Sequence, residues 1–270
     1  MNKPFFAIAA FLLAFGVSSE TLAAEVGDQS YEAEGIYHGI SESGLTGLGF
    51  TVSPYTLGTG LSASANVIAE ATTGGTILIT EPSVTLGLGK SIEISARTAL
   101  VTAPGLSELG DTEISAKYRF RALSETMPSM AIAASVILPT ATNASVADVN
   151  ELSGRLMVIA GGEVQVTDNM IVGMYVNYTE TLVDPGSATQ YSYQSANVGL
   201  MVPISDDKKL QGMFEAYLPT RKPTTTTLLG GSQSHYRLGL RYAGRFLKIT
   251  GGIETGWVGT TVTGGVTFEL

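Results

Sequence analysis

The last stretch of the chain, Gly259 to Leu270, alternates strictly. Val262, Gly264, Val266, Phe268 and Leu270 share one parity, and Thr261, Thr263, Gly265, Thr267 and Glu269 share the other. Successive side chains of a strand point to opposite faces, so this is an apolar face backed by a polar one. An isolated strand of this kind is unstable. It needs a sheet, and the apolar face needs either a second sheet or lipid.

The same period of two runs through the chain from Leu61 onward. Leu61, Ala63, Ala65 and Val67 oppose Ser62, Ser64 and Asn66. Val84-Leu86-Leu88, Ile92-Ile94-Ala96 and Ile114-Ala116-Tyr118-Phe120 follow. Next come Ile132 to Leu138, Leu156 to Val166, Val172 to Tyr178, Val198 to Val202 and Leu210 to Phe214. Tyr236 to Tyr242, Leu247 to Ile253 and the terminal stretch complete twelve expected strands. Every second connection is mostly tight: Gly89-Lys90-Ser91, Thr167-Asp168-Asn169, Ser205 to Lys208 and Ala243-Gly244-Arg245, with Ala122 to Pro128 longer. The others read as long and polar: Ala103 to Gly110, Ala141 to Ser153, Val183 to Ser192 and Arg221 to Gln233. The turn near Val258 is short and departs from that rhythm.

The start of the chain names a compartment. Lys3, the apolar run Phe5 to Val17 and the small residues before Glu25 read as a secretory signal peptide over residues 1–24. The segment 25–60 holds Glu25, Asp28, Glu32, Glu34 and Glu42 among Gly and Ser, without a period. It reads as a flexible N-terminal segment, with two roles open: a loose leader or a plug in a barrel mouth. Residues 61–270 are then the strand domain. No later stretch holds ~18 consecutive apolar residues, so no transmembrane helix is expected. Yet mean hydropathy is +0.24. Charged residues are 14%, there are 32 Gly, and no Cys is present for a disulfide. The net charge of −9 argues against nucleic acid as a partner.

A secreted sandwich also alternates, so the choice rests on three further features. The connections alternate short and long, as in antiparallel membrane barrels. Tyr118, Phe120, Tyr178, Tyr236, Tyr242, Trp257 and Phe268 fall near strand ends on the apolar parity, as aromatic girdles do. Lys117, Arg119, Arg237, Arg241 and Lys248 fall mid-strand on the polar parity, where an aqueous lumen would receive them. The expected fold is all-β: an antiparallel transmembrane barrel of about twelve strands in the bacterial outer membrane. The terminal strand also resembles the insertion signal of such barrels, with Phe268 two residues from the end and Leu270 last.

Leu109-Gly110-Asp111-Thr112-Glu113-Ile114-Ser115-Ala116-Lys117-Tyr118-Arg119-Phe120 resembles a strand of the outer-membrane transporter family tied to the meta-cleavage pathway of phenol degradation. Ser53-Pro54-Tyr55-Thr56-Leu57 before Gly60, and the hairpin through Gly89 to Ile92-Glu93-Ile94, resemble other parts of that family. The resemblance implies an outer-membrane transporter or channel and leaves its solute open, with a lean toward aromatic or hydrophobic compounds. Gly110-Asp111 reads as a tight turn out of an outer loop. Lys117, Arg119 and Arg121 then share one face.

Catalysis and metal binding find no support in the residues. His38 lies in the leader, and His235 follows Ser232-Gln233-Ser234 at a loop edge, without the signature of a barrel lipase. Asp206-Asp207-Lys208-Lys209 reads as a charged turn. Gly251-Gly252 and Gly264-Gly265 lie inside strands, where glycine marks bends or close packing. Tyr191 and Tyr193 read as loop residues able to stack on a solute. No catalytic residue, metal site or cofactor is therefore expected, and the oligomeric state stays open. The parity rule sends Arg97, Lys117, Arg119, Arg121, Arg155, Arg237, Arg241 and Lys248 to the lumen, with Glu70, Glu81, Glu93, Glu113, Glu163, Glu215 and Glu254. Charge so balanced predicts ion pairs across the lumen and a narrow interior. Passive passage of small solutes is the leading expectation. A structural or surface-binding barrel and a barrel enzyme are the alternatives.

Overall fold

The computed structural model describes residues 52–72, 75–124, 127–142, 151–167, 170–183, 191–205, 207, 209–221, 234–244, 246–255 and 261–269. Twelve strands follow in order: β1 (Thr59–Thr72), β2 (Gly75–Leu88), β3 (Ile92–Ala103), β4 (Leu106–Arg121), β5 (Ser129–Leu138) and β6 (Ser153–Thr167). Then come β7 (Met170–Val183), β8 (Tyr191–Pro203), β9 (Leu210–Arg221), β10 (His235–Ala243), β11 (Leu247–Thr255) and β12 (Thr261–Glu269). Each strand pairs antiparallel with its sequence neighbours. The sheet closes through β1 on β12, from Ser62 opposite Glu269 to Glu70 opposite Thr261.

Closure follows from the alternation seen in the sequence. The exposed large side chains are apolar: Leu61, Val84, Leu86, Ile92, Ile94, Ile114, Ile132, Leu238, Ile249 and Val262 all lie between 41% and 61% exposed. The buried ones are largely polar: Ser62, Thr85, Glu93, Glu113, Lys117, Asn177, Arg237, Lys248 and Thr263. A water-soluble protein distributes these the other way. Here the exterior faces lipid, the interior is polar, and the closed sheet leaves no unpaired edge. This is a bilayer-spanning barrel of the bacterial outer-membrane class. Tyr118, Tyr242, Phe246 and Phe268 are exposed on the exterior close to one rim, as an interfacial girdle requires. Trp257 and Leu270 lie outside the described residues.

We call the rim where β1 begins the near end. It also carries the β2–β3, β4–β5, β6–β7, β8–β9 and β10–β11 connections. Gly89, at φ 80°, supplies the left-handed residue of the β2–β3 turn. In the β8–β9 turn, Ser205 Oγ lies 2.6 Å from Asp207 Oδ1, and Lys209 pairs with Asp207 at 3.3 Å, both exposed.

Several sequence expectations change. The connection expected over Ala103 to Gly110 is a tight far-end turn at Pro104-Gly105, with Gly105 at φ 78°. Gly110-Asp111 is therefore inside β4, not in a turn. The register shifts there, from Thr98 opposite Thr112 to Leu100 opposite Leu109. The extra residue makes a bulge, and Gly110 and Asp111 both become buried. Asp111 Oδ1 accepts from Ala141 N at 3.0 Å, holding the start of the β5–β6 connection against β4. The first strand starts at Thr59 rather than Leu61. Tyr191 and Tyr193 belong to β8 rather than a loop.

Candidate functional site

The lumen is the candidate site, and the chain's own N-terminal side enters it. Val52, Ser53 and Pro54 are buried inside the barrel. Asn177 of β7 grips Val52 from both sides: Val52 N donates to Asn177 Oδ1, and Asn177 Nδ2 donates to Val52 O at 2.8 Å. Val52 packs on Ala131 and Ile159. Gly161 makes room, because a Cβ there would lie 2.7 Å from the Tyr175 ring and 3.1 Å from Pro54 Cδ. Lys117 Nζ donates to Ser53 O at 3.0 Å and to Tyr55 O. Leu57 N donates to Glu93 Oε1, and Thr56 Oγ1 to Lys90 O at 2.6 Å. The segment Val52 to Gly58 thus rises from the near rim along the wall of β3 to β7.

The ion pairs have a common pattern. Lys117 and Glu93 meet at 2.7 Å, with side chains 2% and 0% exposed. Arg97 holds Glu113 at 2.7 Å, and Arg155 holds the same carboxylate at 2.9 Å while its Nε reaches Thr181 Oγ1 at 3.3 Å. Arg237 Nε meets Glu254 Oε2 at 2.7 Å, and His235 Nδ1 lies 3.1 Å from Glu254 Oε1. Lys248 pairs with Glu269. These pairs run along the wall, between neighbouring strands or over one strand. None of these pairs spans the lumen, where pairs across it were expected. Neighbouring strands are ~4.8 Å apart, whereas opposite walls of a twelve-strand barrel are on the order of 24 Å apart, too far for two side chains.

The other predicted lumen residues are placed as follows. Glu215 and Arg241 are buried on the inner wall, in register with Arg237 and Gln211 respectively. Arg119 sits toward the near rim, where Nη2 donates to Lys90 O at 2.5 Å. Arg121 ends β4 beyond a second bulge, where Arg119 and Arg121 face the consecutive residues Ala131 and Met130. Lys248 is the second residue of β11, and Arg241 is third from the end of β10, so Arg119, Arg241 and Lys248 are near-end rather than mid-strand. Glu81 is half-buried in β2. The side chains of Glu70 and Glu163 lie outside the described residues, as does His38.

His235 is the clearest departure. It opens β10, is buried, and stacks obliquely on Tyr217 with ring centroids 5.9 Å apart. Its partners come from β9 and β11, so no local sequence signal announces them. Asn177 and Asp111, also buried and bonded, were reachable only as polar residues on strands. Met201, Met213, Tyr175 and Tyr217 are buried on the inner wall of β7 to β9, giving that side an apolar stripe. No group of three or more His, Cys, Asp or Glu suited to a metal occurs among the described residues.

No protein-family model and no curated protein sequence matches the chain. Solved structures do match it. The KdgM porin, in a complex with disordered oligogalacturonate, superposes with TM-score 0.54 at 11% identity, over 77% of this chain and 99% of that one. The NanC porin superposes with TM-score 0.55 at 9% identity, over 78% of this chain and 100% of that one. An outer-membrane channel from Pseudomonas putida F1 aligns at TM-score 0.49 and 9% identity, over 82% of this chain and 98% of that one. At these identities the shared property is the fold, an outer-membrane β-barrel.

Proposed function

We propose that the protein is a narrow outer-membrane channel that passes small solutes passively. The near end faces the periplasm, and the longer far-end connections face outward. The observation that carries the reading is the closed barrel with a polar interior that is packed rather than open. Its inner charges are tied in wall-bound pairs, and the Val52 to Gly58 segment occupies part of the bore. A passage so lined conducts weakly and discriminates little by bulk charge. The fold shared with two porins supports a channel role. Aromatic or otherwise apolar compounds are the solutes we favour. The apolar stripe of Met201, Met213, Tyr175 and Tyr217 and the resemblance of the Gly110 to Phe120 strand both point to them.

Planar-bilayer recording of the purified protein tests this, with liposome swelling across solute classes beside it. Small, weakly selective conductance is the expected result. Large, porin-like conductance refutes the packed lumen. The packed interior also favours a second reading, a structural barrel whose outer connections bind partners. Such a barrel is electrically silent and swells no liposomes.

A further inference from the structure

The printed registers allow inner residues to be compared in height. Starting at Glu113 of β4, the chain of opposed residues runs to Arg97, Ser83, Ser64, Thr267 and finally Lys248 of β11. That path begins mid-barrel and finishes at the near rim, so it descends. Strands ~4.8 Å apart and tilted by about 40° drop ~3 Å per step, hence ~15 Å over the five steps. Climbing β11 from Lys248 to Glu254 covers six residues at ~3.3 Å along the same tilt, which recovers ~15 Å. Glu254 therefore stands level with Glu113, five strands away in a ring of twelve.

We infer that the clusters Arg97–Glu113–Arg155 and His235–Glu254–Arg237 face each other at one height and form the channel's selectivity site, taking a small organic carboxylate with an apolar body. The inference rests on the channel reading above. The two walls differ in composition. On the first, Arg97 and Arg155 share the one carboxylate of Glu113. Arg155 uses Nη1 on Glu113 and Nε on Thr181, and Nη2 makes no bond among the described residues. On the facing wall the Glu254 carboxylate takes Arg237 and His235, with Glu215 in register with Arg237. An anionic group is drawn to the Arg97–Arg155 side, where Arg155 Nη2 can donate a charge-assisted hydrogen bond. Below this level the buried Met213, Met201 and Tyr175 receive the rest of the solute.

Geometry and selectivity are tested separately. Thr181 lies in register with Arg155, and Thr261 with Glu254. Both are small, inward and uncharged, and the chain has no native Cys to confuse labelling. Nitroxides on Thr181→Cys with Thr261→Cys should lie closer than on Thr181→Cys with Thr267→Cys, the near-end comparator. The reverse order overturns the shared height, whether or not the protein conducts. Selectivity is read by flux of benzoate against benzamide into proteoliposomes. The unmodified protein should favour benzoate, and Arg155→Gln should cut that preference by about twofold or more. Glu113→Gln should increase it. Equal benzoate and benzamide fluxes, or an unchanged ratio in Arg155→Gln, overturn the carboxylate site. A protein that passes neither compound overturns the channel reading itself.

Discussion

Replacing Lys117 by Met should open the lumen without dismantling the barrel. Lys117 is buried at the base of the N-terminal segment. It neutralises Glu93 and caps the carbonyls of Ser53 and Tyr55. Its removal strands a fully buried carboxylate and two carbonyls. Removing one member of a buried pair costs ~3–5 kcal/mol, chiefly from the charge left behind. The molecule has a cheap escape: if Val52 to Gly58 leaves the wall, water reaches Glu93 and the barrel hydrogen bonds stay intact. The wall interactions of the segment include the Asn177 pair, Val52 on Ala131 and Ile159, and the bonds at Leu57 and Thr56. Each hydrogen bond among them contributes only about 1 kcal/mol against that cost. Lys117→Met should therefore raise single-channel conductance and speed modification of Ser53→Cys by an impermeant maleimide. Adding Glu93→Gln removes the stranded charge and should reverse much of both effects. Unchanged conductance together with unchanged Ser53→Cys reactivity in Lys117→Met would refute the reasoning.

Phe268→Asp places a charge on the exterior of the closing strand, close to the near rim. The direct cost is at most a few kcal/mol, yet loss of the heat-modifiable form from outer membranes is expected, because the terminal strand resembles the insertion signal of such barrels. Neutralising Arg237 and Arg241 together should raise conductance and shift reversal potentials toward cations, since Glu215 and Glu254 stay on that wall; an unchanged double variant counts against a charge-lined bore. Epitope tags within Ala141 to Ser153 or Arg221 to Gln233 should be reached on intact cells, and a tag at Thr167 to Asn169 only after permeabilisation. The opposite pattern inverts the topology.

What could be read from the sequence was what period two controls. A strand between lipid and lumen must alternate along its whole length, so twelve such runs show as twelve strands before any contact is known. Turn chemistry was a poorer guide. Gly110-Asp111 has the composition of a turn, but Pro104-Gly105 takes the turn and the bulge absorbs the other pair. Both sites suit glycine, and only the register chooses between them. Ion-pair partners lay further out of reach. Arg155 reaches Glu113 over β5, past Ser135, its register partner, and Ile137, which faces Glu113. Parity gives the inward face of each residue, and the shear of the barrel decides which inward residues meet. His235 shows the same limit, since Glu254 and Tyr217 reach it from separate strands. The N-terminal segment is the hardest case. Lys117 holds it through the carbonyls of Ser53 and Tyr55, which any residue would present there. The signal lies on the receiving wall, in a buried lysine, a buried asparagine and a glycine that leaves room for Pro54. Each of these reads in sequence as an ordinary strand residue until the segment it receives is known.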